Sequence, residues 1–320
     1  MTPVTTTSAT VATALATQER TSRLGKGVRL TVFYLLLLII ALIFILPYLM
    51  SVFAAFKPLT AILSQSPLRP PAPATLDNFK TIFTQYDFGR YLANTLIVTV
   101  ILTAGQVTFS MMGAYAFARM SFPGRDSLFW LYLMTLMVPN IVTLVPLYVL
   151  FAHSHLLNTY WAIFLPYVLG VPYSVFLMRQ YFMTIPKEVM EAARLDGCSE
   201  GRILWKIIVP ISRPILITAT LLAFVFGWNN FMWPLIVTNS NSLNVLTVGI
   251  ANFNSNFGVH WNLILAGALV ALIPMVILFA IFQKHIVNSI SLTGINRLTR
   301  CVLDGPADPR RAVPASSPGS

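Results

Sequence analysis

The stretch Ile185-Pro186-Lys187-Glu188-Val189-Met190-Glu191-Ala192-Ala193-Arg194-Leu195-Asp196-Gly197 holds the residues best arranged for specific chemistry, and that chemistry is recognition rather than bond-making. Pro186 suits the first helical position, where its missing N–H costs nothing. Glu188 and Glu191 put negative charge in the first turns, where it complements the helix dipole. Gly197 can take the left-handed conformation that ends a helix. The expected product is a short helix in which the small residues Ala192 and Ala193 let another backbone approach closely. A second helix is expected to begin at Ser199, a good N-cap. Ile203, Leu204, Ile207 and Ile208 fall on one apolar face of it, as in a helix lying along a membrane surface, and Pro210 and Pro214 break the chain beyond. Two short, capped helices in one loop predict a docking surface; the alternative is a solvated connection.

Farther along, Trp228, Asn229 and Asn230 place amides beside an aromatic ring inside an apolar run. Amides hydrogen-bond hydroxyls and aromatic faces stack on sugar rings, so this trio, together with Asn140, could line a path for a neutral hydroxylated solute. Equally open is that the asparagines hold helices together. His153 and His155 form an HxH pair, but with no carboxylate or cysteine close in sequence they give too few ligands for a typical zinc site. Cys198 and Cys301 are isolated and make no metal motif. The sequence contains no phosphate-cradling GxxxxGK(S/T) loop, so energy must come from a partner or an ion gradient.

The elements that must position these residues are set by composition. Of the 320 residues, 56% are hydrophobic and only 10% charged, against roughly a quarter charged in soluble domains. Such a chain cannot cover itself in water, and its natural solvent is lipid. Apolar runs recur near 30–55, 92–118, 127–151, 160–182, 214–237 and 263–287, each long enough to cross a hydrocarbon core of about 30 Å. The first run is too long for a signal-peptide core and no small-residue cleavage site follows it, so it is expected to be retained. The fold class is all-α, a polytopic membrane protein with about six transmembrane helices. The spans hold almost no ionisable residues, unlike those of transporters coupled to protons or sodium. Among the helix breakers, Pro139 and Gly170 suggest broken helices lining a cavity, while Ala104, Gly105, Ser110, Gly113 and Ala114 predict close packing of the second span.

The net charge of +11 follows topology and not nucleic-acid binding. Arg20, Arg23, Lys26 and Arg29 precede the first run, Arg119 and Arg125 follow the second, and others cluster around 179–213 and after the last. The segments 153–159 and 238–262 contain no Lys or Arg. This asymmetry places both termini and the 184–213 loop in the cytoplasm, where a reducing compartment disfavours a disulfide. Residues 1–28 lack a hydrophobic period and are expected to form a disordered tail, as are residues 299–320; between them, 29–298 form a single membrane domain.

The series Glu191-Ala192-Ala193, Gly197 after three intervening residues, then Ile207 and Pro210, resembles the EAA motif of bacterial ABC importer permeases, EAA-x3-G-x9-I-x-L-P. Val209 stands where leucine is usual. The resemblance covers about 28–298 and points to carbohydrate-uptake permeases of the maltose-transporter type. Matching stretches are Leu76-Asp77-Asn78-Phe79, Asn94-Thr95-Leu96, Ala114 to Arg119 with Phe122-Pro123-Gly124, Leu157 to Ala162, and Phe176-Leu177-Met178-Arg179-Gln180. Such permeases commonly carry an acidic residue after the WN pair of the fifth span; Asn230 stands there, so no acidic contact is carried over.

The resemblance implies the fold of a type I ABC importer permease and a coupling helix seated in a cleft of an ATPase subunit. Glu191 would pair with a basic group there, Ala192 and Ala193 would allow the close seat, and Gly197 would make the turn. Ile207 and Pro210 would hold the following segment against the membrane domain. ATP and Mg²⁺ belong to the partner ATPase dimer, and the chain itself binds no cofactor and catalyses no covalent change. The other implied partners are a second, different permease subunit, an extracytoplasmic solute-binding protein and membrane lipid. The expected cargo is a sugar or oligosaccharide; a polyol, glycerol phosphate or a peptide would use the same loop.

Overall fold

The computed structural model describes residues 7–255 and 258–303, with side chains described for 29–253 and 259–283. Nearly all of it is helix, because a backbone in lipid must satisfy its own N–H and C=O groups. The helices are α1 (Thr7–Ala55), α2 (Leu59–Ser64), α3 (Asp77–Thr84), α4 (Phe88–Arg119), α5 (Arg125–Met134), α6 (Asn140–His153), α7 (Tyr160–Val168) and α8 (Pro172–Thr184). There follow α9 (Lys187–Leu195), α10 (Glu200–Ile203), α11 (Val209–Ile211), α12 (Arg213–Trp228), α13 (Met232–Val237), α14 (Leu246–Ala251) and α15 (Trp261–Leu303). A short hairpin pairs Asn254–Ser255 with Gly258–Val259.

Among the described residues, Arg29–Ala55, Phe88–Arg119, Tyr160–Thr184 and Trp261–Gln283 are each long and apolar enough to cross a membrane, and counting each of two bent pairs as a span gives six. Two expected spans are not straight rods. The third bends by 100° at Pro139, between Arg125–Met137 and Asn140–His153, and the fifth divides between α12 and α13 at Asn229 to Phe231. Residues 7–28, expected to be disordered, continue α1. The last helix likewise runs on to Leu303. The rest of the two expected tails, 1–6 and 304–320, lies outside the described residues.

The helix α4 is the axis of the bundle, packed by α7, α8 and α12. Its small residues permit this: a Cβ on Gly105 would come within 2.2 Å of the Val168 side chain and 2.9 Å of its carbonyl oxygen. The break between α7 and α8 at Gly170, φ +99°, seats on α4, where the Ser110 hydroxyl accepts from the Val171 N–H at 3.3 Å. This break brings the backbone close to α4, where a Cβ on Gly170 would lie 3.1 Å from the Ser110 hydroxyl oxygen. By contrast, the lipid-length part of α1 buries none of its most apolar window and shows Leu35 to Ile45 outward, which in hydrocarbon carries no hydrophobic penalty.

Polar side chains tie the two ends of the bundle. At one end Asn94, 2% exposed, donates to Ser242 O and Asn244 O at 2.9 Å and accepts from the Tyr160 hydroxyl at 2.7 Å. Thr95 accepts from the Leu246 N–H at 2.7 Å. Asn158, held at φ 57°, accepts from the Asn239 and Ser240 N–H groups through its Oδ1, and Asn78 donates to Ala55 O and Lys57 O. The opposite end carries the loop between α8 and α12.

Candidate functional site

The helix α9 forms largely where its sequence places it. Pro186 is the N-cap, one position earlier than expected, with ψ 138°. That conformation follows from the steric preference of an extended residue ahead of the first helical turn. The helix ends in a Schellman motif: the Cys198 N–H donates to Ala193 O and the Gly197 N–H to Arg194 O, both at 3.0 Å, with Gly197 at φ +76°. A Cβ on Gly197 would meet nothing within 4 Å, so glycine is required there for its backbone freedom and not for space. Gly197→Asn, which tolerates the left-handed conformation, is therefore expected to retain uptake. Gly197→Val, strained by about 1–2 kcal/mol or more, is expected to lose most of it. Equal activity of the two variants in a transport assay would refute this.

The two alanines of the motif part company. Met190 and Ala193 are buried in a cluster with Phe182, Ile185, Ile203 and Ile208, whereas Glu188, Glu191 and Ala192 face outward. Successive helical residues point about 100° apart, and the edge of the buried face falls between the two alanines, so Ala193 does not share the outward seat with Ala192. The expected common seat is corrected for Ala193, which packs α9 onto its own domain. The outward face gains a residue the sequence reading passed over: Leu195 is 89% exposed. Its spacing, four after Glu191 and seven after Glu188, could have shown it as an apolar residue on a charged face.

Beyond Gly197 the chain forms α10, a π-helical turn at Leu204–Ile208, and α11. Ser199 stands at the N-cap without a side-chain capping bond. The wide turn, in which the Val209 N–H reaches Leu204 O, accommodates Pro210. A proline ring would otherwise strike the carbonyl four residues back. Ile203, Leu204 and Ile208 are buried against the protein, so this face packs inward rather than lying on a membrane. Ile207 is half-buried beside them, and Pro210 is exposed, so the anchoring expected of Pro210 falls to its buried neighbours. At Ser212 the segment Glu200–Ile211 turns by 87° into Arg213–Trp228.

The C-terminal ends of α4 and α8 hold this loop by exchanging arginines. Arg119 of α4 donates to Phe182 O, at 3.1 Å from Nε, and to Ile185 O. Arg179 of α8 donates to Phe117 O at 3.2 Å, while its guanidinium stacks 4.0 Å over the Phe129 ring and stands 3.7 Å from Asp126. Helix C-termini carry unpaired carbonyls and partial negative charge. Two of them side by side repel, and each arginine neutralises the other helix's end. Tyr115, one turn back on α4, donates to Glu200 at 2.5 Å, and Glu200 accepts from Arg194 at 2.8 Å. This hydrogen bond from α9 to α10 raises the Arg194 pKa above its ordinary value. Between these parts lies a cleft of about 380 Å³ lined by Arg119, Arg125, Lys187, Glu191 and Arg194.

The expected solute-path residues do not share one surface. Trp228 is 3% exposed, donates its indole N–H to Ala271 O at 3.1 Å and stacks on Phe224. It is a core residue, and its place in the path is corrected. Asn229 faces outward at the end of an exposed stripe of α12 that includes Leu222, Val225 and Phe226, and its amide donates to Val225 O at 2.9 Å. Asn230 accepts through its carbonyl from Thr247 of α14 at 2.8 Å. Asn140 is exposed where α6 begins after the Pro139 bend.

Comparison with known proteins agrees with this architecture. Residues 106–292 match the model of the family described as binding-protein-dependent transport system inner membrane component. The chain is 36% identical over 259 residues to the arabinooligosaccharides transport system permease protein AraQ of Halalkalibacterium halodurans, covering 80% of this chain and 92% of that one. It is 35% identical over 205 residues to the sn-glycerol-3-phosphate transport system permease protein UgpE of Yersinia pestis, covering 63% and 73%. A solved bacterial ABC transporter involved in the import of the acidic polysaccharide alginate contains a chain with the same fold, TM-score 0.72 at 23% identity, covering 83% of this chain and 97% of that chain.

Proposed function

The chain belongs to the family of binding-protein-dependent transport system inner membrane components, and from that premise we propose that it is the permease half of an ATP-driven importer carrying a sugar or oligosaccharide across the cytoplasmic membrane. The observation that carries the reading is the outward face of α9. Glu188, Glu191, Ala192 and Leu195 stand clear of a loop that buried residues and reciprocal arginines hold rigidly to α4. An ATPase subunit seats on that face. Closure of the ATPase dimer pushes α9, and the push passes through Arg119 and Tyr115 into α4 and through the 87° elbow at Ser212 into α12. The loop and both termini lie in the cytoplasm on this reading, which the Lys and Arg distribution supports. A solute-binding protein delivers the cargo at the opposite face, and a second, different permease subunit completes the path.

The outward stripe of α12, Leu222, Val225, Phe226 and Asn229, is neutral and ends in an amide, which suits a hydroxylated solute better than an anion. Similarity to the arabinooligosaccharide permease favours the same class. The test is uptake by proteoliposomes holding the purified complex of this chain with its second permease, its ATPase and its binding protein. ATP-dependent accumulation of a labelled oligosaccharide is expected. Accumulation of glycerol phosphate and of no sugar would replace the cargo assignment, and accumulation without ATP would remove the importer reading.

A further inference from the structure

Lys57 lies at the end of the bundle opposite α9 and is 1% exposed. Its ammonium donates to Ser66 O at 3.0 Å, and none of the ion pairs among the described residues includes it. A buried cation held by a neutral carbonyl keeps most of its desolvation penalty. Lys57 lines a cavity of about 180 Å³ walled by Met50, Ser51 and Ala54 of α1 and Leu265 of α15. The Gln65 amide lines the same cavity, and its buried Oε1 accepts no hydrogen bond from the protein. Lys57 and Gln65 therefore bring one cation and one neutral acceptor to the wall of a single, otherwise mostly apolar cavity.

Its place in the membrane points to the occupant. The apolar helix Arg29–Ala55 has 27 residues and rises about 40 Å, more than a hydrocarbon core of about 30 Å. Lys57, just past its end, falls at headgroup depth. The cavity's α1 wall continues into Ile43 and Leu46, which are exposed along the helix. An acyl chain can lie on that face while the headgroup enters.

We propose that this cavity binds one phospholipid headgroup, with the phosphodiester accepting from Lys57 and an ammonium or hydroxyl of the headgroup donating to Gln65. Phosphatidylethanolamine and phosphatidylglycerol meet both demands; phosphatidylcholine has no donor to offer. The site does not depend on the cargo or on ATPase docking.

The test is native mass spectrometry of the full-length chain, alone and in its complex, released from vesicles of equal parts phosphatidylethanolamine, phosphatidylglycerol and phosphatidylcholine. One ethanolamine or glycerol lipid per chain is expected to survive activation. Lys57→Met should lower its retention about tenfold, as expected for losing a charge-assisted hydrogen bond, and Lys57→Arg should keep it. If Lys57→Met does not insert, Ala54→Phe decides, because it fills the cavity with the charge in place and should also lose the lipid. Equal lipid retention in wild type and the inserted variants overturns the proposal. So does displacement of the lipid by inorganic phosphate, which would make this a site for a free anion. A carbodiimide crosslink from Lys57 to a carboxylate of another subunit also overturns it, because the cation would then have a protein partner.

Discussion

Replacing Leu195 by glutamate is expected to abolish uptake while leaving insertion, expression and melting of the permease near wild type. Leu195 is 89% exposed, and such surface changes usually alter stability by within about 0.5 kcal/mol. Its only route to a phenotype is through a partner. On the proposed reading it is the apolar anchor of a face otherwise made of Glu188, Glu191 and Ala192. A buried anchor at an interface contributes about 2 kcal/mol or more, roughly a 30-fold change in affinity. Co-purification of the ATPase should fall by at least that factor, and ATP hydrolysis stimulated by the binding protein should fall with it. Wild-type assembly and uptake in this variant would show that the exposed leucine faces nothing.

Arg119→Met is expected to produce a different defect. The ATPase should still bind, because Glu191, Ala192 and Leu195 are untouched, but force should no longer reach the spans. Arg119 donates to the carbonyls of Phe182 and Ile185, both residues buried at the junction of α8 and α9. Hydrogen bonds from a charged donor contribute about 1.5–3 kcal/mol each, and an acceptor left unpaired adds its own desolvation cost. Methionine keeps an unbranched apolar stem, shorter than arginine's side chain, and removes every donor. Uptake per ATP hydrolysed should fall severalfold with ATPase stoichiometry unchanged, and Arg119→Lys should recover part of it as a point donor that lacks the guanidinium's planar fork. A loss of ATPase binding equal to the loss of uptake would make Arg119 a residue of stability alone.

Local chemistry was legible in the sequence wherever neighbours along the chain decide it. The apolar runs, the glycine that closes α9 and the neutrality of the α12 stripe are all such cases. Errors arose where adjacent residues were given a common role. Ala193 and Trp228 are buried while their neighbours Ala192 and Asn229 face out, because successive helical residues point about 100° apart and each pair straddles the edge of the buried face. The buried Met190, three residues before Ala193, carried the signal for the first pair. How sharply the chain bends at Pro139 and Ser212 depends on what packs there; the prolines marked the breaks but not their angles.

The stretches that carried the family resemblance acquire physical reasons from the fold. Asn78, Asn94 and Asn158 bond to backbone groups of distant segments, and Arg119 and Arg179 cap one another's helices. No spacing rule could have paired those arginines, because their acceptors lie about 60 residues away in sequence and the pairing exists only once α4 and α8 stand side by side.

The most direct measurement is photo-crosslinking from a light-activated amino acid at position 195 in the assembled complex within intact cells. An adduct with the ATP-binding subunit, weakened when the ATPase is locked in one nucleotide state, is the predicted result. An adduct with lipid or with the external binding protein, or labelling of that position by a reagent that cannot cross the membrane, would contradict the account.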